Sequence, residues 1–153
     1  MTRILLLHGP NLNLLGTREP AVYGTLTLDE INTRVADAAR RLDGEVRVFQ
    51  SSHEGALIDA VHDARSWADG IVINPGAYGH SSYSLRDAFT SVRLPAIEVH
   101  LSNVHAREKF RHRSVIAPVV TGMLRGLGWR GYVHAVEILI ELVRDRRADS
   151  AEA

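Results

Sequence analysis

The sequence predicts an α/β fold with a mainly parallel sheet. Three observations carry that prediction: short unbroken apolar runs that suit strands buried on both faces, segments of helical period alternating with them, and polar clusters directly after several of the runs. The chain has 153 residues, enough for one domain whose core removes about two-thirds of the unfolded surface from water.

Ile4 to Leu7 is the first apolar run, and a long polar loop from Gly9 to Gly24 follows it. Thr27 to Glu30 reads TLDE, the spacing of a capping box, after which Leu28, Ile31, Val35, Ala38 and Leu42 recur on one helical face. Glu45 to Gln50 alternates as a strand, SSHE can cap the next helix, and Leu57, Ile58, Val61 and Ala64 mark its buried side. Gly70 to Asn74 is a second fully buried run, followed by the turn PGAYGHSS and a helix carrying Leu85, Ala88, Phe89 and Val92. Ala96 to Leu101 gives a fourth strand. Ser114 to Val120 (SVIAPVV) is expected as the fifth, short or at an edge because Pro118 has no N–H to give a ladder. A terminal helix is expected from Trp129 to about Arg146, making 1–146 a single catalytic α/β domain and 147–153 a frayed polar tail. Five strands in this length suit a flavodoxin-like order with helices on both faces better than a six-stranded dinucleotide-binding sheet.

Composition narrows the chemistry. The 18 basic residues balance the 18 acidic ones, so no overall field attracts nucleic acid or an anionic membrane, although Arg107 to Arg113 is locally basic. Without cysteine there are no disulfides, thiolate metal sites or Cys nucleophiles, which is compatible with a cytoplasmic location. No apolar run approaches the roughly 20 residues needed to span a membrane, and the first ends far short of a signal sequence. His8, His80, His100, His105 and His112 show no recognised metal-ligand spacing, and neither G-x-G-x-x-G nor a P-loop occurs, so no metal or cofactor is expected.

In open α/β sheets, ligands bind beyond the carboxyl ends of the strands. Three polar segments fall there: Asn11 to Tyr23, Asn74 to Ser82 and His100 to Arg113. On the fourth strand, alternation puts Ile97, Val99 and Leu101 on one face and Glu98 with His100 on the other, about 7 Å apart along the chain. A carboxylate at that range can hold an imidazole in one tautomer and favour its charged form, so His100 is a candidate general acid; a structural core ion pair is the equal alternative. A free phenol titrates near pH 10, leaving about one in a thousand ionised at pH 7; Arg18 upstream of Tyr23 and Arg111 from the fourth-strand loop are the cations able to favour its phenolate. A Tyr packed over the core edge is the plain alternative. Asn74 precedes Pro75-Gly76, a turn able to offer backbone N–H groups to an anion, and Ser81 and Ser82 read as helix caps beside His80. The residues alone point to acid/base chemistry on a small, polar, anionic substrate.

The segments GPNLNLLGTREPAVYG, SSHEGALI, NPGAYGHSS and EVHLSNVHAREKFRHRS together resemble, in order and spacing, the type II 3-dehydroquinate dehydratases of the shikimate and quinate pathways, over about Arg3 to Arg146. The resemblance implies conversion of 3-dehydroquinate to 3-dehydroshikimate and water without metal or Schiff-base lysine; the one lysine, Lys109, lies in the basic segment. It implies Tyr23 as base favoured by Arg18, Asn11 holding a water at the enolate oxygen, and His100 oriented by Glu98 as acid. Asn74 and the backbone N–H groups of Leu101 and Ser102 would hold the carboxylate, and His80 and Arg111 the ring hydroxyls. Asp87 would reach a neighbouring subunit's site in a dodecamer built of trimers. Two positions depart from the family: Gly79, where Thr is usual, and Ser52, where Asn is common. Quinate breakdown uses the same reaction, and a flavodoxin-like binding module or an inactive scaffold are the rivals from other classes. The loop carrying Arg18 and Tyr23 is expected to act as a lid, with weak density around 18–23 in an empty crystal.

Overall fold

The computed structural model describes residues 1–153. Its five strands, β1 (Thr2–His8), β2 (Gly44–Gln50), β3 (Gly70–Asn74), β4 (Ala96–His100) and β5 (Gly122–Arg125), form one parallel sheet in the order β2-β1-β3-β4-β5. That is the flavodoxin-like order, with the direction of winding reversing between β1 and β3. The helices are α1 (Pro20–Tyr23), α2 (Leu28–Arg41), α3 (Glu54–Ala64), α4 (Tyr83–Val92) and α5 (Trp129–Glu152).

Strand alternation divides the core in two. Ile4 and Leu6 of β1, Val72 of β3, and Ile97 and Val99 of β4 pack with Ile31 and Val35 of α2 and Leu139 and Ile140 of α5. Leu5, Leu7, Ile71, Ile73 and Ala96 face the other way, onto Leu57 and Val61 of α3 and Leu85 and Phe89 of α4. β1 and β3 are therefore apolar on both faces over their central residues, whereas β4 carries Glu98 and His100 on one of its faces. Truncating one of the apolar side chains, as in Leu6→Ala, costs about 2–5 kcal/mol. Two helix starts follow the local signals: Thr27 Oγ1 accepts from Glu30 N at 3.2 Å to open α2, and Ser82 Oγ accepts from Leu85 N at 3.0 Å to open α4. The SSHE segment does not cap α3: His53 stands at the N-cap without a side-chain cap bond, and Ser51 Oγ accepts from His53 N at 3.0 Å in the turn before it.

Two elements differ from the sequence expectation. Ser114 to Val120 is not a strand: Ser114 Oγ accepts from the N–H groups of Ile116 and Ala117, and Ala117–Val119 forms a 3-10 turn around Pro118. Side-chain bonds and a missing donor fold that segment on itself, and the ladder begins only at Thr121, whose N–H donates to Ala96 O at 2.8 Å. The fifth strand is instead the four-residue Gly122–Arg125. The terminal helix runs past Arg146 to Glu152, through good helix formers and with Arg147 paired to Asp69 at 2.7 Å. The last residues are polar and exposed, as expected, but helical.

Candidate active site

The loops after β1, β3 and β4 meet over the carboxyl edge of the sheet and enclose one cleft, bordered by Asn11, Arg18, Tyr23, Asn74, His80, His100, Leu101, Ser102, Arg107 and Arg111. Nine of the eleven residues expected to act thus line it, and Glu98 stands buried behind His100; the exception is Asp87, exposed on α4 away from this cleft. The approach of the first two loops is close enough to require glycine: a Cβ on Gly9 would lie 2.4 Å from Pro75 O. Gly9 N donates to Asn74 O at 2.7 Å and seals the contact.

The β4 side of the cleft is buried, and its one carboxylate is fully bonded. His100 Nε2 lies 2.5 Å from Glu98 Oε2, and Ser114 Oγ donates to Glu98 Oε1 at 2.6 Å. Glu98 is wholly inaccessible to solvent, so both carboxylate oxygens are committed and the imidazole has one orientation. The ion pair and the acid are not competing descriptions here, because the pair leaves His100 Nδ1 free while His100 borders the cleft. Beyond the strand end, the N–H groups of Leu101 and Ser102 have no partner within the protein, leaving two adjacent donors at the same wall.

His80 stacks on His100 with centroids 5.9 Å apart, and its Nδ1–H donates to Arg113 O at 2.8 Å. Burial, with the neighbouring His100 and Arg111 charges, outweighs that bond and pulls its pKa below the usual histidine value. A neutral ring with a free Nε2 therefore faces solvent-accessible space. Asn74 is buried; its Nδ2 donates to Tyr132 Oη at 2.8 Å and its Oδ1 accepts from Gly76 N at 3.1 Å.

The β1 side is more open. Asn11 is exposed, in the left-handed region at φ 68°, and its side chain makes no cap bond, so the amide is not spent on the backbone. Tyr23 ends the short helix α1. The Arg18 guanidinium sits 4.4 Å from its ring centroid, and a second cation, Arg107, lies at 5.2 Å. Arg111, expected in that place, is held by Glu108 at 2.5 Å and stacks on Phe110. That pairing drives the Glu108 carboxyl below its usual range.

Sequence reasoning missed Arg107, which also reaches Ser102 Oγ at 3.3 Å, and Ser114, which anchors Glu98. Arg107 lies in the basic segment already singled out, but nothing in its spacing separates it from Arg111. Gly79 is buried, and a Cβ there would meet Pro75 Cγ at 2.8 Å while Gly79 O accepts from Val115 N. The departure from Thr thus relieves a contact with the Pro75 ring and does not loosen a free loop. Ser52 contributes its carbonyl to Tyr78 Oη at 3.0 Å, a role its side chain does not decide.

The dehydroquinase class II family model matches residues 2–140. The chain is 53% identical over 144 residues to the 3-dehydroquinate dehydratase of Halothermothrix orenii, covering 94% of this chain and 97% of that one. It is 58% identical over 136 residues to the 3-dehydroquinate dehydratase of Bacillus licheniformis, covering 89% and 94% respectively. Among solved structures, the type II dehydroquinase of Butyrivibrio crossotus superposes with a TM-score of 0.88 at 46% identity, over 90% of this chain and 97% of that one. That of Propionibacterium acnes does so at 0.89 and 42% identity, over 92% and 97%.

Proposed function

The chain belongs to the class II dehydroquinase family, and we infer from its cleft how it eliminates water from 3-dehydroquinate to give 3-dehydroshikimate, a step of the shikimate route to the aromatic amino acids. The observation that carries the reading is the facing of a phenol flanked by two guanidinium groups and an imidazole fixed by a buried carboxylate, across one cleft. A base and an acid so separated suit elimination in two steps.

Tyr23, as phenolate beside Arg18 and Arg107, takes a proton from the carbon next to the ketone. The electron pair moves onto the ketone oxygen, and the enolate is met by a donor prepared in advance, the Asn11 amide acting through a water. Return of that pair expels the hydroxyl, which His100 protonates from its imidazolium form, leaving as water. Tyr23 ends with one proton more and His100 with one fewer, and exchange with solvent resets both. Splitting the reaction at the enolate separates proton removal from loss of a poor leaving group.

Asn74 and the free N–H groups of Leu101 and Ser102 hold the carboxylate, and His80 and Arg111 hold the ring hydroxyls. The reaction draws on side chains of residues 1–146 alone and on no cofactor. Asp87, exposed and outside its own cleft, completes the site of a neighbouring subunit in a dodecamer of trimers. No helix is long and apolar enough to cross a membrane. We place the enzyme in the cytoplasm with its small polar substrate.

The test is incubation of purified protein with 3-dehydroquinate, following the conjugated enone of the product by absorbance. Wild-type protein forms it, and Tyr23→Phe is slower by about 10² to 10⁴, the share of a general base. Near-normal turnover in Tyr23→Phe rejects the assignment of the base.

A further inference from the structure

A chain of hydrogen bonds runs from the surface of α2 to the wall of the cleft. Asn32 Oδ1 lies 2.8 Å from His8 Nε2, His8 Nδ1 lies 3.2 Å from Tyr132 Oη, and Tyr132 Oη lies 2.8 Å from Asn74 Nδ2. Four elements, α2, β1, α5 and β3, supply one group each. His8 and Tyr132 are wholly inaccessible, their rings edge to face at 5.2 Å.

Elementary chemistry assigns every hydrogen in this chain. The Gly76 N–H can only donate, so the Asn74 atom facing it is Oδ1 and the amide nitrogen faces Tyr132. That nitrogen can only donate, so Tyr132 Oη accepts from it and turns its own hydrogen to His8 Nδ1. His8 must carry its hydrogen on Nε2, where Asn32 Oδ1 accepts it. Burial pushes the His8 pKa down to about 4, so near neutral pH the ring is uncharged and this tautomer is complete. Flipping any member sets two donors or two acceptors against each other in a dry interior.

The second Nδ2 hydrogen of Asn74 has no protein partner, and Asn74 borders the cleft. We propose that Tyr132, held by His8 and Asn32, is a positioning residue that locks the Asn74 amide with its free N–H toward an anionic oxygen of the substrate, and so sets affinity more than turnover. The inference rests on the reading of Asn74 as a carboxylate-binding group. An interaction made equally in ground and transition states moves KM and leaves kcat nearly alone.

Steady-state kinetics on Tyr132→Phe, Asn74→Ala and the double variant tests this. Loss of one hydrogen bond predicts a KM raised about fivefold in Tyr132→Phe, with kcat within about twofold. Asn74→Ala raises KM at least as much, and the double variant is no worse than Asn74→Ala, because Tyr132 acts only through that amide. Should Tyr132→Phe not fold, Asn32→Leu at the half-buried end of the chain on α2 raises KM about twofold and adds nothing to Asn74→Ala. A raised KM in Asn74→Ala with multiplicative KM increases in the double variant, or with unchanged KM in Tyr132→Phe and Asn32→Leu, overturns this inference alone. An unchanged KM in Asn74→Ala overturns it together with the reading of Asn74.

Discussion

The two walls of the cleft are built differently. The acid wall stands on β4, hydrogen-bonded between β3 and β5, with Glu98 inaccessible and both its oxygens bonded. The base wall is a loop: the backbone donors of Thr17, Arg18, Val22, Tyr23 and Gly24 all bond to acceptors within residues 14–20. On the proposed mechanism, a proton donor that must hold one tautomer gains from a rigid strand, whereas a base that must admit substrate and then exclude water gains from a segment that opens alone. The division of labour follows from where each group's difficulty lies.

Removing the acid gives the largest expected effect: His100→Ala lowers kcat by about 10² to 10⁴, read from initial rates. Glu98→Gln keeps the shape but leaves the imidazolium without its counter-charge, and a loss in kcat of about tenfold or more is expected with little change in KM. On the other wall, Arg107→Gln and Arg18→Gln should each lower kcat more than they raise KM. If Arg107→Gln leaves kcat intact while Arg18→Gln does not, the second cation belongs to binding and the symmetry of the base wall is broken.

Stability offers a finer test. His8 stays neutral in the folded protein down to about pH 4, whereas the unfolded chain takes up that proton near pH 6.5. Its pKa is lowered by folding, so stability is full above pH 6.5 and falls as pH drops, by about 3 kcal/mol on reaching pH 4. Urea unfolding at pH 7 and pH 4.5 should show this slope in wild-type protein and a shallower one in His8→Gln. Smallest of all, Thr27→Ala removes the α2 cap on the base side and should cost about 1 kcal/mol with no effect on turnover.

The sequence made the central strands and most helices legible because their signals are local. GIVIN and AIEVH are buried runs, and TLDE is a cap whether or not its neighbours are known. The fifth strand was not legible, since GMLR is four residues without alternation while the apolar SVIAPVV beside it folds into a turn. The same distinction separates the site residues. Glu98 and His100 pair through strand alternation, which spacing reveals. Arg107 reaches Tyr23 through the path of a loop, Ser114 reaches Glu98 from another segment, and Tyr132 meets Asn74 across 58 positions, so only tertiary structure shows them.

Hydrogen–deuterium exchange tests the contrast between the walls most directly, comparing the amides of residues 18–24 with those of β4 in the empty enzyme and with product bound. Rapid exchange in 18–24 that slows on binding, with β4 protected throughout, is the expected result. Protection of 18–24 equal to that of β4 without ligand would contradict it.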